Sequence, residues 1–145
     1  DASITTDLIV GFPGETEADF NDTLNLVKEV GFDAAFTFIY SKRSGTPAAA
    51  MEEQVPLEIK KARLNLLMEA QNISSLQRNE ALVGKTLEVL AEGPSNNNNK
   101  VWSGRTRTNK LVFWPVEGRD FELGDKVQVQ IETAQTWLLK GKAVE

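Results

Sequence analysis

The stretch Leu8-Ile9-Val10-Gly11-Phe12-Pro13-Gly14-Glu15-Thr16 decides how the first half of the chain folds. Leu8 to Phe12 is apolar without alternation, the pattern of a strand buried in a parallel sheet. Pro13-Gly14 predicts a tight turn, because proline presets its own φ and glycine accepts positive φ. Thr16, followed by Asp19, is a capping-box variant that opens a helix. Working outward, the first strand covers Ile4 to Phe12. Phe20, Leu24 and Val27 then fall at i, i+4, i+7, which is one face of an amphipathic helix from Thr16 to Val30. Gly31 suits a C′ stop. Ala34 to Tyr40 reads as a second strand. Two strands bracketing a helix form a βαβ unit, so the strands are parallel. The turn after the first strand and the loop after the second then share one carboxyl edge, where ligands sit in α/β sheets and barrels.

Beyond that unit, Ser41 to Pro47 is a loop by composition and Ala48 to Gln54 a short helical turn. Pro56 suits the first position of a long helix running to about Leu82. Its apolar members Ile59, Ala62, Leu66, Ala70 and Ile73 recur at helical spacing and are expected to face a core. From Val83 the pattern changes to alternation. Thr86 to Leu90, Val101-Trp102, Leu111 to Trp114, Lys126 to Glu132 and Thr136 to Lys142 read as short strands. Val127, Val129 and Ile131 point one way, Gln128, Gln130 and Glu132 the other. Gly93 to Asn99 is the polar tip of a hairpin. Short strands at this spacing predict a small five-stranded antiparallel barrel. The fold class is therefore α/β followed by all-β, with a domain boundary expected near residues 76–82.

Composition narrows the chemistry. The 145 residues contain no cysteine and no histidine, which excludes disulfides, thiolate or imidazole metal sites and any Ser/His or Cys/His nucleophile. No apolar run approaches a membrane span and the first residues carry no signal-peptide pattern, so no membrane role and a cytoplasmic setting are expected. The net charge of −5 is unevenly distributed: residues 1–78 carry 7 Lys and Arg against 12 Asp and Glu, whereas residues 79–145 carry 9 of each. Gly93 to Val116 contains no acid but holds Lys100, Arg105, Arg107 and Lys110. A local cationic surface of this kind can bind a polyanion on an acidic chain.

Three segments are candidate sites. Gly11, Pro13, Gly14 and Glu15 are neither a P-loop nor a G-x-G-x-x-G turn. The residues alone leave open a plain βα turn or one whose glycines let backbone approach a small ligand, with Glu15 accepting its hydrogen bonds. Tyr40, Ser41, Arg43 and Thr46 lie at the same strand edge, either as a solvated connection or as a contact for an anionic substrate. Arg105, Thr106, Arg107, Asn109 and Lys110 sit between Trp102 and Phe113-Trp114. That is an ordinary basic hairpin or a nucleic-acid surface, with cations for phosphates and an aromatic to stack a base. No residue carries an acid–base or radical role, and none is a metal ligand.

The run Asp7 to Thr16, then Phe36-Thr37-Phe38-Ile39-Tyr40-Ser41 with Arg43 and Gly45-Thr46-Pro47-Ala48-Ala49, resembles the radical SAM methylthiotransferases. Ser103-Gly104-Arg105-Thr106 with Asn109 resembles the TRAM domain that ends those proteins. Within the family the chain looks most like the MiaB type, the tRNA methylthiotransferases. The alternatives are the RimO type, which modifies a ribosomal protein, and a stand-alone RNA-binding module. The resemblance implies that residues 1–78 are the late βα units of a radical SAM partial barrel with a linker helix, and that residues 79–145 are a TRAM barrel. It implies a parent enzyme that uses S-adenosylmethionine (SAM) and two 4Fe–4S clusters to add a methylthio group to C2 of an isopentenyl-modified adenosine beside the anticodon. Gly11, Pro13, Gly14 and Glu15 would flank SAM. Tyr40, Ser41, Arg43 and Thr46 would lie at the barrel mouth. Arg105, Thr106, Arg107, Asn109 and Lys110 would face the anticodon stem-loop of tRNA. Lacking cysteine, the chain is expected to retain no cofactor and to catalyse nothing alone. Its other expected partners are the missing N-terminal and barrel regions of the same protein. An unpaired edge of the Ile4–Phe12 strand is expected to cause self-association or altered packing of the first unit.

Overall fold

The structure is a computed structural model that describes residues 2–144. The chain divides into two compact units, Ile4–Ser74 and a second built from Ser75 onward. In the first, strands β1 (Thr5–Val10) and β2 (Ala34–Ile39) pair in parallel, with Ile9 opposite Phe38. Helix α1 (Glu17–Val30) connects them. The capping box forms as expected: Thr16 accepts from the Asp19 N–H, and the Asp19 carboxylate accepts from the Thr16 N–H at 2.8 Å. The Thr16 side-chain and backbone hydrogen bonds hold the Asp19 carboxyl below the ordinary aspartate pKa. Gly31 stops α1 in the left-handed region at φ 61°, which glycine adopts without steric cost. A single turn, α2 (Pro47–Ala50), and the long helix α3 (Leu57–Glu80) follow.

The core of this unit is Val10, Phe20, Val27, Phe32, Leu67 and Ala70, so α1 and α3 cover one face of the β1–β2 pair. Two expectations are corrected here. Strand β1 is not buried throughout. Val10 is sealed, but Ile9 is 55% exposed, and Phe36 and Phe38 share that open face. Both faces of the run are apolar, and only one is covered among the described residues. The stripe on α3 is also turned: Ile59, Leu66 and Ile73 are exposed, and the inward row is Arg63, Leu67, Ala70, Gln71 and Ser74. Arg63 and Gln71 hold interior positions because each has a partner that needs it. Gln71 donates to the Phe32 carbonyl at 2.9 Å, and Arg63 meets Glu15 at 2.7 Å. A buried polar group that keeps a hydrogen bond escapes part of the desolvation cost that would otherwise exclude it.

The second unit is a closed five-stranded barrel: β3 (Thr86–Ser95), β4 (Asn98–Thr106), β5 (Leu111–Pro115), β6 (Lys126–Ala134) and β7 (Leu139–Ala143), in the order β3-β4-β5-β7-β6. The asparagine run is a hairpin tip as expected, but β3 and β4 extend into it and leave Asn96-Asn97 as the bend. The barrel is mixed rather than antiparallel. Four neighbouring pairs are antiparallel, and β5 and β7 are parallel, with Val112 opposite Leu139 and Phe113 opposite Lys140. The reason is parity. Strand direction cannot alternate around a ring with an odd number of members, so closure forces one parallel neighbour. Val89, Ala91, Val112, Trp114, Val127, Val129, Ile131 and Leu139 fill the interior. Val127, Val129 and Ile131 point inward as their alternation predicts.

A ring this narrow brings neighbouring strands close at its bends. A Cβ on Gly141 would overlap the Gln130 carbonyl, and one on Gly104 the Leu90 carbonyl, so both inward positions need glycine. Gly141→Ala is expected to destabilise the barrel by about 2 kcal/mol and to lower its melting midpoint by roughly 10 °C. Gly118→Ala, at φ 76° but with open space around it, carries only the left-handed strain, about 1 kcal/mol. Calorimetry showing the two variants equal would refute the close-approach argument.

Candidate functional site

The Gly11–Glu15 turn is built inward. Gly11 N–H donates to Glu15 Oε1 at 2.9 Å, Gly14 N–H to the Glu53 carbonyl at 2.8 Å, and Glu15 N–H to the Phe12 carbonyl at 2.9 Å. Arg63 on α3 bonds both Glu15 Oε1 at 2.7 Å and the Glu15 carbonyl at 3.1 Å, and reaches Glu17 at 3.3 Å. The Arg63 and Glu15 side chains are only 8% and 11% exposed. Lys60 lies across the bare face of Gly11 and donates to the Tyr40 carbonyl at 2.9 Å. The donors that could have cradled a ligand are therefore used by the turn itself, and Gly14 and Glu15 border a groove shared with Glu53, Pro56 and Arg63.

The second strand edge is different. Tyr40, Ser41, Arg43 and Thr46 converge on one cavity of about 560 Å³, together with Ile9, Phe12, Phe38 and Ala48. Its wall is aromatic, with Phe12 edge-on to Tyr40 at 5.2 Å. The Tyr40 hydroxyl is buried and has no hydrogen-bond partner among the described residues. Thr46 is occupied locally: it caps α2 by accepting from Ala49 N–H, and donates to the Arg43 carbonyl at 2.8 Å. Arg43 and Ser41 are exposed at the rim.

In the barrel, Thr106 to Lys110 forms the β4–β5 turn. Thr106 is buried, and its hydroxyl accepts from Lys110 N–H at 3.0 Å. Asn109 takes the left-handed conformation at φ 63°, which asparagine tolerates. Arg105 donates to the Asn109 carbonyl at 3.2 Å and faces Glu92 at 3.7 Å. The Lys110 ammonium donates to Asn79 Oδ1 at 2.9 Å. Asn79, 5% exposed, donates its amide to the carbonyls of Gln135 and Thr136 in the β6–β7 turn. Arg107 is the exposed cation of the turn.

Residues 80–144 match the TRAM domain. Over 99% of its length the chain is 61% identical to the tRNA-2-methylthio-N(6)-dimethylallyladenosine synthase of Moorella thermoacetica, across 32% of that protein. It is 52% identical to the synthase of that name from Acetivibrio thermocellus, over 99% of the chain and 30% of the relative. For Bacillus cereus the figures are 50%, 100% and 28%. The chain is related to these synthases along essentially its whole length. It spans about a third of the length of the curated relatives it matches and corresponds to their C-terminal region.

Against this methylthiotransferase frame, the structure groups the predicted residues unevenly. Tyr40, Ser41, Arg43 and Thr46 are brought together in one cavity. Gly14 and Glu15 border a separate groove. In the TRAM turn, Thr106, Asn109 and Lys110 shape the loop and Arg107 projects from it. Lys60, Arg63 and Asn79 were missed, because partners 20, 48 and 56 residues away along the chain are invisible to local periodicity. A signal did exist: arginine at an otherwise apolar helix position is rarely buried without a carboxylate. Arg63→Ala is expected to leave Glu15 buried without its partner and to destabilise the Ile4–Ser74 unit by about 3–5 kcal/mol. A combined Arg63→Met, Glu15→Gln change recovers part of that loss. Urea denaturation with the single variant as stable as the parent would refute it.

Proposed function

We propose that this chain is the C-terminal part of a tRNA-2-methylthio-N(6)-dimethylallyladenosine synthase, with a TRAM domain that binds the tRNA and a βα unit that walls the reaction chamber. The observation that carries this reading is the 61% identity, over 99% of the chain, to a relative of that name. Residues 1–78 are then the late βα units of a radical SAM partial barrel with its linker helix, and residues 79–145 the TRAM domain. The open apolar face of Ile9, Phe36 and Phe38 supports this, because it has the character of a chamber wall that further strands enclose.

SAM and the 4Fe–4S clusters supply the radical and methyl-transfer chemistry when bound in the whole enzyme. The chain contains no cysteine, so its residues do not fit cluster ligation. For SAM or the modified adenosine the fit lies at the 560 Å³ cavity. Tyr40 and Phe12 offer an aromatic surface there, and Arg43 a charge for an anionic group. Gly11, Pro13, Gly14 and Glu15 act by fixing the shape of that wall, and Ser41 and Thr46 order its rim. In the TRAM domain Arg107 neutralises phosphate on the anticodon stem-loop. Arg105, Thr106, Asn109 and Lys110 present it. A tRNA-modifying role sets the protein in the cytoplasm, and no described helix is long and apolar enough to cross a membrane.

Arg107→Ala is expected to weaken binding of an anticodon stem-loop RNA and to lower the slope of log affinity against log salt by about one. Unchanged affinity at several salt concentrations would remove Arg107 from the interface. The isolated chain is also expected to self-associate through the unpaired edge of β1. Light scattering after size exclusion then gives a concentration-dependent mass above 16.0 kDa; a constant monomer mass would count against it.

A further inference from the structure

The barrel carries an aromatic that the sequence pattern did not single out. Trp137 is 75% exposed, in the short turn between β6 and β7. The other tryptophans have structural partners. Trp114 is 1% exposed, and both it and Trp102 lie 5.8 Å from the Phe121 ring. Trp137 therefore contributes its ring to the surface while the barrel core is complete without it.

Its position follows from the parity of the barrel. Because β5 and β7 are parallel, both strands start at the same end. The turn that leads into β5 carries Arg107, and the turn that leads into β7 carries Trp137. Strand direction alternates along the chain, so both turns fall at one end, and the β5–β7 pairing sets them on neighbouring strands. Here they are tied by one buried amide: Asn79 accepts from Lys110 and donates to the Gln135 and Thr136 carbonyls at 2.8 and 3.1 Å. The Trp137 turn is further closed by Gln135 N–H donating to the Leu138 carbonyl at 2.8 Å. The backbone beneath the ring is thus fixed before any ligand arrives, which lowers the entropy lost on binding. Lys140 is exposed on β7, opposite Phe113 on β5.

We propose that Trp137 is a stacking platform for an unpaired nucleobase of the RNA, with Arg107 and Lys140 holding the flanking phosphates. The proposal rests on the RNA-binding reading above and adds to it a residue and a selectivity. An exposed ring at the barrel end that also carries the exposed Arg107 and Lys140 matches a splayed base on a polyanionic backbone. A duplex offers no free base face, so the site selects the loop of a stem-loop over its stem.

The test uses the whole chain, an anticodon-type stem-loop RNA, and the blunt duplex of its stem alone. The stem-loop is expected to quench the red-edge emission of the exposed Trp137, and the duplex to leave it unchanged. Trp137→Leu is expected to weaken stem-loop binding by about tenfold without changing the salt slope, whereas Arg107→Ala changes that slope. Trp137→Phe keeps part of the affinity. As an exposed position, Trp137→Leu should preserve the near-ultraviolet circular dichroism and the melting midpoint, so a loss of binding reports the site. Equal stem-loop affinity in the parent and Trp137→Leu, or equal quenching by the duplex, overturns the proposal and leaves the RNA reading standing. Absence of any RNA binding by the parent chain overturns both.

Discussion

The first unit depends on one buried charge pair. Arg63 enters the packed face of α3 and closes on Glu15 with both side chains about nine-tenths removed from water. Such a pair is costly unless further hydrogen bonds accompany it; the Arg63 Nε is left without a partner among the described residues. Here Glu15 Oε1 also accepts from Gly11 N–H, and Arg63 also bonds the Glu15 carbonyl and Glu17. The pair thus fixes the turn after β1 relative to α3. The wall that includes Phe12 and Tyr40 keeps its shape through that contact and through Lys60 on the Tyr40 carbonyl.

The same device recurs along α3. Lys60, Arg63, Gln71 and Asn79 each donate to a backbone carbonyl of a loop or strand end. A helix side chain that bonds main chain holds a loop whatever the loop's own side chains are, which leaves those free to meet a ligand. In the cavity that freedom falls to Arg43 and Ser41, and in the barrel to Arg107 and Trp137. The residues that hold the site and those that meet its ligand are therefore largely different sets.

The legibility of the candidate site differs accordingly. Tyr40, Ser41, Arg43 and Thr46 were readable as one cluster because they are contiguous and follow a strand. Glu15 was readable as important, but its charged partner, Arg63, lies 48 residues away. Thr106, Asn109 and Lys110 looked like ligand contacts because they are polar and close to Arg107. Their hydrogen bonds instead go to the turn, or in the case of Lys110 to Asn79. Trp137 was read as part of a strand, since an aromatic beside Leu138 and Leu139 carries no local mark of exposure.

What the sequence determined by itself is the set of local elements: the capped helix α1, its glycine stop, the parallel β1–β2 unit, the long helix and five strands with an inward Val127, Val129 and Ile131. These follow from dihedral preference, capping and period, which act over a few residues. Only the tertiary structure decided which face of α3 is buried, that β1 is open on one side, and that β5 and β7 run parallel. Those outcomes depend on distant partners and on closing an odd-numbered ring. Neither a buried ion pair nor the parity of a barrel is written in any local stretch of residues.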